Sequence, residues 1–227
     1  MDENKWDLGK WLPFWPKLTE RQREDLSASM TERHYGKGAD LHRGGENCDG
    51  LLLVIKGQLR AYIITEEGKE LTLYRLFERD ICIFSASCIL SSLQFEVMVS
   101  AERDSTVLHI PAEVYKRCME DSAAISNYTN ELMAERFSDV MWLLDQILSK
   151  KQDSRVAAFL LEESLLAGSD TLSLTHEQVA GHLGTVREVV TRMLKYFQSE
   201  GMVSLGRGSI LLLDRARLSQ LASASLH

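Results

Sequence analysis

Arg187, Glu188, Thr191, Arg192 and Lys195 fall within nine positions in a stretch free of glycine and proline, and they hold the clearest chemistry in this 227-residue chain. Read as a helix at about 100° per residue from Arg187, Thr191 falls near 40°, Lys195 near 80°, Glu188 near 100° and Arg192 near 140°. Val190, Met193, Leu194 and Phe197 fall between about 240° and 340° on the same wheel, so one side is suited to a core and the other to a groove. An arginine presents two donors that match guanine O6 and N7, a glutamate accepts from cytosine N4, and the helix start favours phosphate. The bland alternative is a solvated charged face. Arg207, between two glycines downstream, is either an exposed turn residue or a further phosphate contact.

Bulk charge does not advertise a polyanion partner, because the formal net charge is −7. Before Gln152 there are 19 basic against 25 acidic residues, and from it onward 7 against 8. Between His182 and Gly208, however, Arg187, Arg192, Lys195 and Arg207 face only Glu188 and Glu200. Local charge governs association more than the total does. Hydrophobic residues make up 44% and charged residues 26%, an ordinary folded composition rather than a disordered one. The longest apolar runs, Leu51 to Ile55 and Ile210 to Leu213, fall far short of the roughly 20 residues a membrane helix needs. The start, MDENKWDLGKWLPFW, has no basic leader or small-residue cleavage site, so a cytoplasmic location without membrane contact is expected. There Cys48, Cys82, Cys88 and Cys118 are expected as thiols rather than a disulfide framework.

The elements that must position these residues follow from pattern. Leu18, Leu26 and Met30, led by Thr19 as N-cap, predict a short helix. From Arg33 to Pro111, short apolar runs alternate with glycine and charged turns, which predicts a β-sandwich or roll with a hairpin at Glu67-Gly68. Between Ala112 and Lys150 glycine and proline vanish, and Ile125, Tyr128, Leu132, Val140, Leu144 and Ile147 recur at helical intervals interrupted around Glu135. A single long helix is expected, its excess apolar surface either forming a parallel dimer seam or packing on its own roll. KKQD at 150–153 is the best boundary. Beyond it the pattern predicts a helix over Arg155 to Leu166, a short strand at Leu172 to Leu174 and a Thr175-capped helix to Leu183. A turn at Gly184, a helix over Val186 to Ser199 and a hairpin from Val203 to Leu213 complete a winged helix-turn-helix.

The order THEQVAGHLGTVREVVTRMLKYFQSEGMV resembles the DNA-binding signature of the CRP/FNR superfamily of bacterial transcription regulators. HYGKGADLHRGGENCDGLLLVIKGQLRAYI is similar to that family's sensor roll, and Asp121 to Lys150 to its dimer helix, so the resemblance runs from about Leu12 to Asp214. It implies an α+β chain: an N-terminal cupin-like jelly roll of the cyclic-nucleotide-binding-domain type over 1–120, a dimerisation helix and hinge over 121–152, and a winged helix-turn-helix over 153–227. It also implies a homodimer on double-stranded DNA, with RNA polymerase as a further partner. Position by position, Arg187, Glu188 and Arg192 match the base-reading residues of the catabolite-activator branch, which implies a TGTGA-like half-site. Arg187 departs from the oxygen-sensor branch, which has an aliphatic residue there.

The sensor cassette departs from cyclic-nucleotide-binding relatives. They carry a Gly-Glu pair for ribose and a following arginine for the cyclic phosphate, whereas here RDICIFSASCIL places Ile83 and Phe84 at the pair. No lysine or arginine occurs between Asp80 and Glu102. A buried phosphate would lack its charge-assisted partner, which argues against cAMP. An iron-sulfur cluster is disfavoured because the oxygen-sensing relatives cluster cysteines near the N-terminus and the first here is Cys48. Haem through His34, His42 or His109 stays open. Cys82 and Cys88 are either redox-active thiols or small buried hydrophobes. A serine-dotted apolar pocket formed by Cys82, Phe84, Ser85, Ser87 and Cys88 suits an unidentified neutral or aromatic effector.

An enzyme is not indicated. His176 and His182 are six apart, whereas a helical zinc-protease motif needs an i, i+4 pair, and neither a nucleophile elbow nor a phosphate loop occurs; no catalytic or metal residue is assigned. The alternative to DNA binding is a ligand-binding regulatory module whose helix-turn-helix docks on protein.

Overall fold

The computed structural model describes residues 6–43, 50–83, 96–223 and 225. The chain has α+β architecture and divides into two compact units, Met1–Ile63 with Leu73–Val140 and Ile64–Thr72 with Met141–His227.

Eight strands form the roll: β1 (Thr31–Tyr35), β2 (Asp40–His42), β3 (Leu51–Lys56), β4 (Leu59–Ile64), β5 (Glu70–Leu76), β6 (Ile81–Cys82), β7 (Met98–Ala101) and β8 (Ser105–Ile110). They make two four-stranded sheets, ordered β1-β8-β3-β6 and β2-β7-β4-β5. In β3 the run Leu51 to Ile55 is buried throughout rather than on alternate residues, as a strand covered on both faces requires. Gly57 ends it at φ 102°, and a Cβ there would collide with the Ser105 hydroxyl and sit 2.6 Å from the Asp104 carbonyl oxygen. Only glycine tolerates that combination. The hairpin expected at Glu67-Gly68 is present, closed by Thr65 N–H donating to Lys69 O at 2.8 Å.

Helix α1 (Glu20–Ser29) starts at Thr19, whose side chain and that of Gln22 form a reciprocal capping box. It buries Leu26 in the same core as Leu12, Phe14 and Tyr115.

The single helix expected from 112 to 150 is two helices, α2 (Ala112–Asp121) and α3 (Ala123–Ser149), broken at Ser122 in an extended conformation. The break is held by side chains rather than by glycine or proline. Tyr115 Oη and Thr129 Oγ1 are 2.8 Å apart, and Ser126 Oγ donates to Met119 O at 2.6 Å. Helix α3 is continuous through Glu135, so the lapse in the apolar pattern there does not break the helix. Its apolar residues divide in role. Ile125 and Leu132 are buried in the roll core, whereas Phe137, Met141, Leu144 and Leu148 are 68%, 45%, 44% and 75% exposed.

The second unit holds α4 (Gln152–Ala167), β9 (Thr171–Leu172), α5 (His176–Leu183), α6 (Arg187–Ser199), β10 (Val203–Gly206), β11 (Ser209–Leu212) and α7 (Arg215–Ala222). Its small sheet is ordered β10-β11-β9, so the expected short strand lies at 171–172. Its core joins Val156, Leu160, Val179, Val190, Leu194, Phe197, Ile210 and Leu218. No helix among the described residues is long and apolar enough to cross a membrane.

Candidate nucleic-acid interface

Two local devices set the angle between α5 and α6. Thr175 and Gln178 close a capping box at the start of α5: Gln178 N–H donates to Thr175 Oγ1 at 3.2 Å, and Thr175 N–H to Gln178 Oε1 at 2.8 Å. At the other end Gly184 adopts a left-handed conformation at φ 62°, its N–H donating to Ala180 O, which is the stop signal glycine supplies. A side chain at 184 would also press on Leu71 Cδ1 at 2.5 Å. Arg155, only 4% exposed, sends its Nη2 to Leu183 O at 2.6 Å and so satisfies a carbonyl that the helix end leaves open. Burial lowers the Arg155 pKa.

Helix α6 is two-sided as its sequence predicts. Val190, Leu194 and Phe197 are fully buried and Met193 is partly so, while Arg187, Glu188, Arg192 and Lys195 are exposed. Val186, its N-cap residue, offers no side-chain bond to the first turn, and such a turn presents donors to an anion. Thr191 is half-buried, and its Oγ1 lies 2.9 Å from His176 Nδ1 on α5. Burial first, then the Arg187 and Lys195 charges, lower the His176 pKa. His176 entered the sequence reading only through a zinc spacing that failed. Its position one residue past an N-cap was a signal that it stands at the face of the motif. Arg207 is exposed at the tip of the β10–β11 hairpin.

The basic residues of this unit beyond Lys151 sort cleanly. Arg155 holds Leu183 O, Arg215 pairs with Asp170 and Ser164, and Arg217 pairs with Glu200. Arg187, Arg192, Lys195 and Arg207 make no hydrogen bond or ion pair among the described residues. The cations that fix the fold and those left to an outside partner are therefore different residues.

Of the sensor residues, Phe84, Ser85, Ser87 and Cys88 lie outside the described residues. Cys82 is a fully buried thiol in β6. The 80–102 segment lacks a cation in sequence, yet the fold brings one in from elsewhere. Arg136 of α3 lies over the Tyr74 ring at 4.6 Å and pairs with Asp139 at 2.7 Å, and Cys82 acts on the same Tyr74 hydroxyl. Burial, chiefly, raises the pKa of Tyr74. The argument against a charged ligand thus covers that segment alone and not its surroundings. His34 is taken up by Thr106 at 3.0 Å and Glu32 at 3.3 Å, and His109 lies within 3.4 Å of Thr31 and 3.3 Å of Arg33. His42 is buried.

Comparison with known proteins agrees with this layout. Residues 32–122 match the family pattern described as a cyclic nucleotide-binding domain, and residues 154–221 that of a Crp-like helix-turn-helix domain. A crystal structure from Eubacterium rectale, described as a transcriptional regulator of the crp/fnr family, is 54% identical with a TM-score of 0.92, covering 94% of this chain and 99% of that one. The cyclic AMP receptor protein of Thermus thermophilus is 26% identical over 199 residues, 87% of this chain and 91% of that protein. The fumarate and nitrate reduction regulatory protein of Vibrio cholerae is 25% identical over 223 residues, 94% of this chain and 87% of that protein.

Proposed function

Because this chain belongs to the CRP/FNR family of DNA-binding transcription regulators, which are not enzymes, we propose that it binds a palindromic operator with TGTGA-like half-sites as a homodimer. The observation that carries this reading is the set of four exposed cations without internal partners, three of them on α6 and one at the hairpin tip. Arg187, Glu188 and Arg192 read base edges, and Lys195 and Arg207 contact phosphate. Thr191 lies between the two groups. A helix-turn-helix dimer places its recognition helices about one DNA turn apart, so the half-site centres are about 10 bp apart.

The sensor roll over 1–120, the helix and hinge over 121–152 and the DNA-binding unit over 153–227 are the working divisions. The roll responds to a small molecule or a redox change rather than to cAMP, since the Gly-Glu pair is missing. RNA polymerase is the downstream partner and the cytoplasm the site of action.

Binding to a duplex carrying two TGTGA half-sites, measured by fluorescence anisotropy, is expected to weaken steeply with salt as phosphate-bound counterions are released. A flat salt profile would replace this reading with a helix-turn-helix that docks on protein. Glu188→Ala and Arg192→Ala are each expected to cost about 1–3 kcal/mol on that duplex and to relax discrimination at one base pair. Unchanged base preference in both variants, read on duplexes substituted one pair at a time, would remove their base-reading role.

A further inference from the structure

His176 is placed to do more than close α5. Its ring is held by Thr191 across the α5–α6 angle and stands in the field of Arg187 and Lys195, two of the cations that the proposed function assigns to DNA. The Nδ1 contact at 2.9 Å is its one hydrogen bond among the described residues, so Nε2 is left to an outside partner. The residue is half-buried rather than enclosed in the core.

We propose that His176 is a proton-dependent phosphate contact, so that DNA binding takes up a proton at its imidazole in each subunit. The inference rests on the DNA-binding reading. With Nδ1–H donating to Thr191, a neutral ring presents a lone pair at Nε2 and repels a phosphate oxygen. Adding a proton from solvent turns Nε2 into a donor, and the charged ring then makes a charge-assisted bond to the phosphate.

The surrounding charges give the coupling its direction. Arg187 and Lys195 of α6 disfavour the imidazolium in the free protein, and no carboxylate among the described residues offsets them. Arg155 of α4 is bound to Leu183 O at the opposite end of α5. The Leu71-Thr72 segment also reaches α5 at that end, through Gly184 and His182. DNA arriving at this patch brings a base edge to Arg187 and a phosphate to Lys195, and the negative backbone offsets the field of both cations, so the imidazole pKa rises on binding. Affinity therefore grows as pH falls through the higher value of the complex. It levels off below the value of the free protein, which itself lies under the ordinary histidine range.

The test uses the full chain and two labelled 30-bp duplexes, one with two TGTGA half-sites and one of scrambled sequence, titrated from pH 5.5 to 8 at fixed ionic strength. Wild-type affinity for both is expected to rise about tenfold from pH 7.5 to 6, within the limit of one proton per subunit. His176→Gln is expected to bind with the wild-type affinity of high pH and with little pH dependence. His176→Arg, a permanent cation, should bind tightly at every pH. Equal pH slopes in wild type and His176→Gln would overturn the proposal. A flat wild-type profile combined with weaker binding by His176→Gln would also overturn it, since the contact would then be made by a neutral ring. Equal affinity for the two duplexes would defeat the base-reading assignment and leave the histidine result standing, because phosphate contacts are independent of sequence. Binding to neither duplex would overturn both.

Discussion

The wild type is expected to sediment as a dimer and the double variant Phe137→Glu, Leu144→Glu as a monomer that loses about 10²- to 10⁴-fold in operator affinity. The four residues Phe137, Met141, Leu144 and Leu148 recur at intervals of four, three and four, the spacing of a seam between two helices. All four are exposed in the single chain, and as one apolar stripe on one side of α3 they are the kind of surface that marks an association site. Two glutamates in that seam would face the same two on the second helix, and burying four like charges at close range outweighs what the remaining methionine and leucine contribute. The loss of DNA affinity then follows without any change at α6, because each subunit would hold one half-site alone. Sedimentation and anisotropy on the same sample separate the two effects. A variant that stays dimeric would move the dimer contact elsewhere, and a monomer with undiminished affinity would break the link between pairing and operator recognition. The expected apolar positions Ile125 and Leu132 serve as controls, since they are buried in the roll core and their truncation should lower stability first.

Much of this architecture is written in local signals, and the helix-turn-helix most plainly. Thr175, Gln178 and Gly184 act through bonds that reach no further than four residues, so sequence spacing alone specifies them. The polar and apolar sides of α6 were equally legible, since burial of Val190, Leu194 and Phe197 obeys the helical period. What sequence concealed depends on contacts across distance. The break at Ser122 has no glycine or proline to announce it and is fixed by Tyr115 meeting Thr129 and Ser126 meeting Met119. Of the exposed seam only Leu144 stood in the apolar pattern read from sequence; Phe137, Met141 and Leu148 were overlooked because a helical wheel anchored on Ile125 and Leu132 describes the side facing the roll. Helix α7 went unread although Asp214 accepts from Arg217 N–H at its start and Leu218 and Ala222 share one buried stripe. A cap followed by a single four-residue repeat is a weak signal until the surface that covers it is known. The cation that α3 brings beside Tyr74 and Cys82 is of the same kind, absent from the segment and supplied by the fold.

The two sides of α6 should separate in experiment as they do in space. Phe197 is fully buried among the residues that join α4, α5, α6 and the small sheet, and truncating a phenylalanine in such a core costs about 3–5 kcal/mol in lost transfer energy and residual cavity. Phe197→Ala is therefore expected to shift the urea midpoint sharply downward, with Phe197→Leu, which keeps most of the volume, costing less. Lys195→Ala lies two residues away on the exposed side, and its side chain makes no bond that folding would lose. It should leave the midpoint within about 0.5 kcal/mol of wild type while weakening DNA binding and reducing its salt dependence by about one counterion per contact removed. If Lys195→Ala lowered stability as Phe197→Ala does, the charged side would be part of the packing and could not be a free surface for DNA. If Phe197→Ala left the midpoint in place, the core that aims α6 outward would not be the one that fixes its orientation, and the reading of every residue on the opposite side would lose its geometric basis.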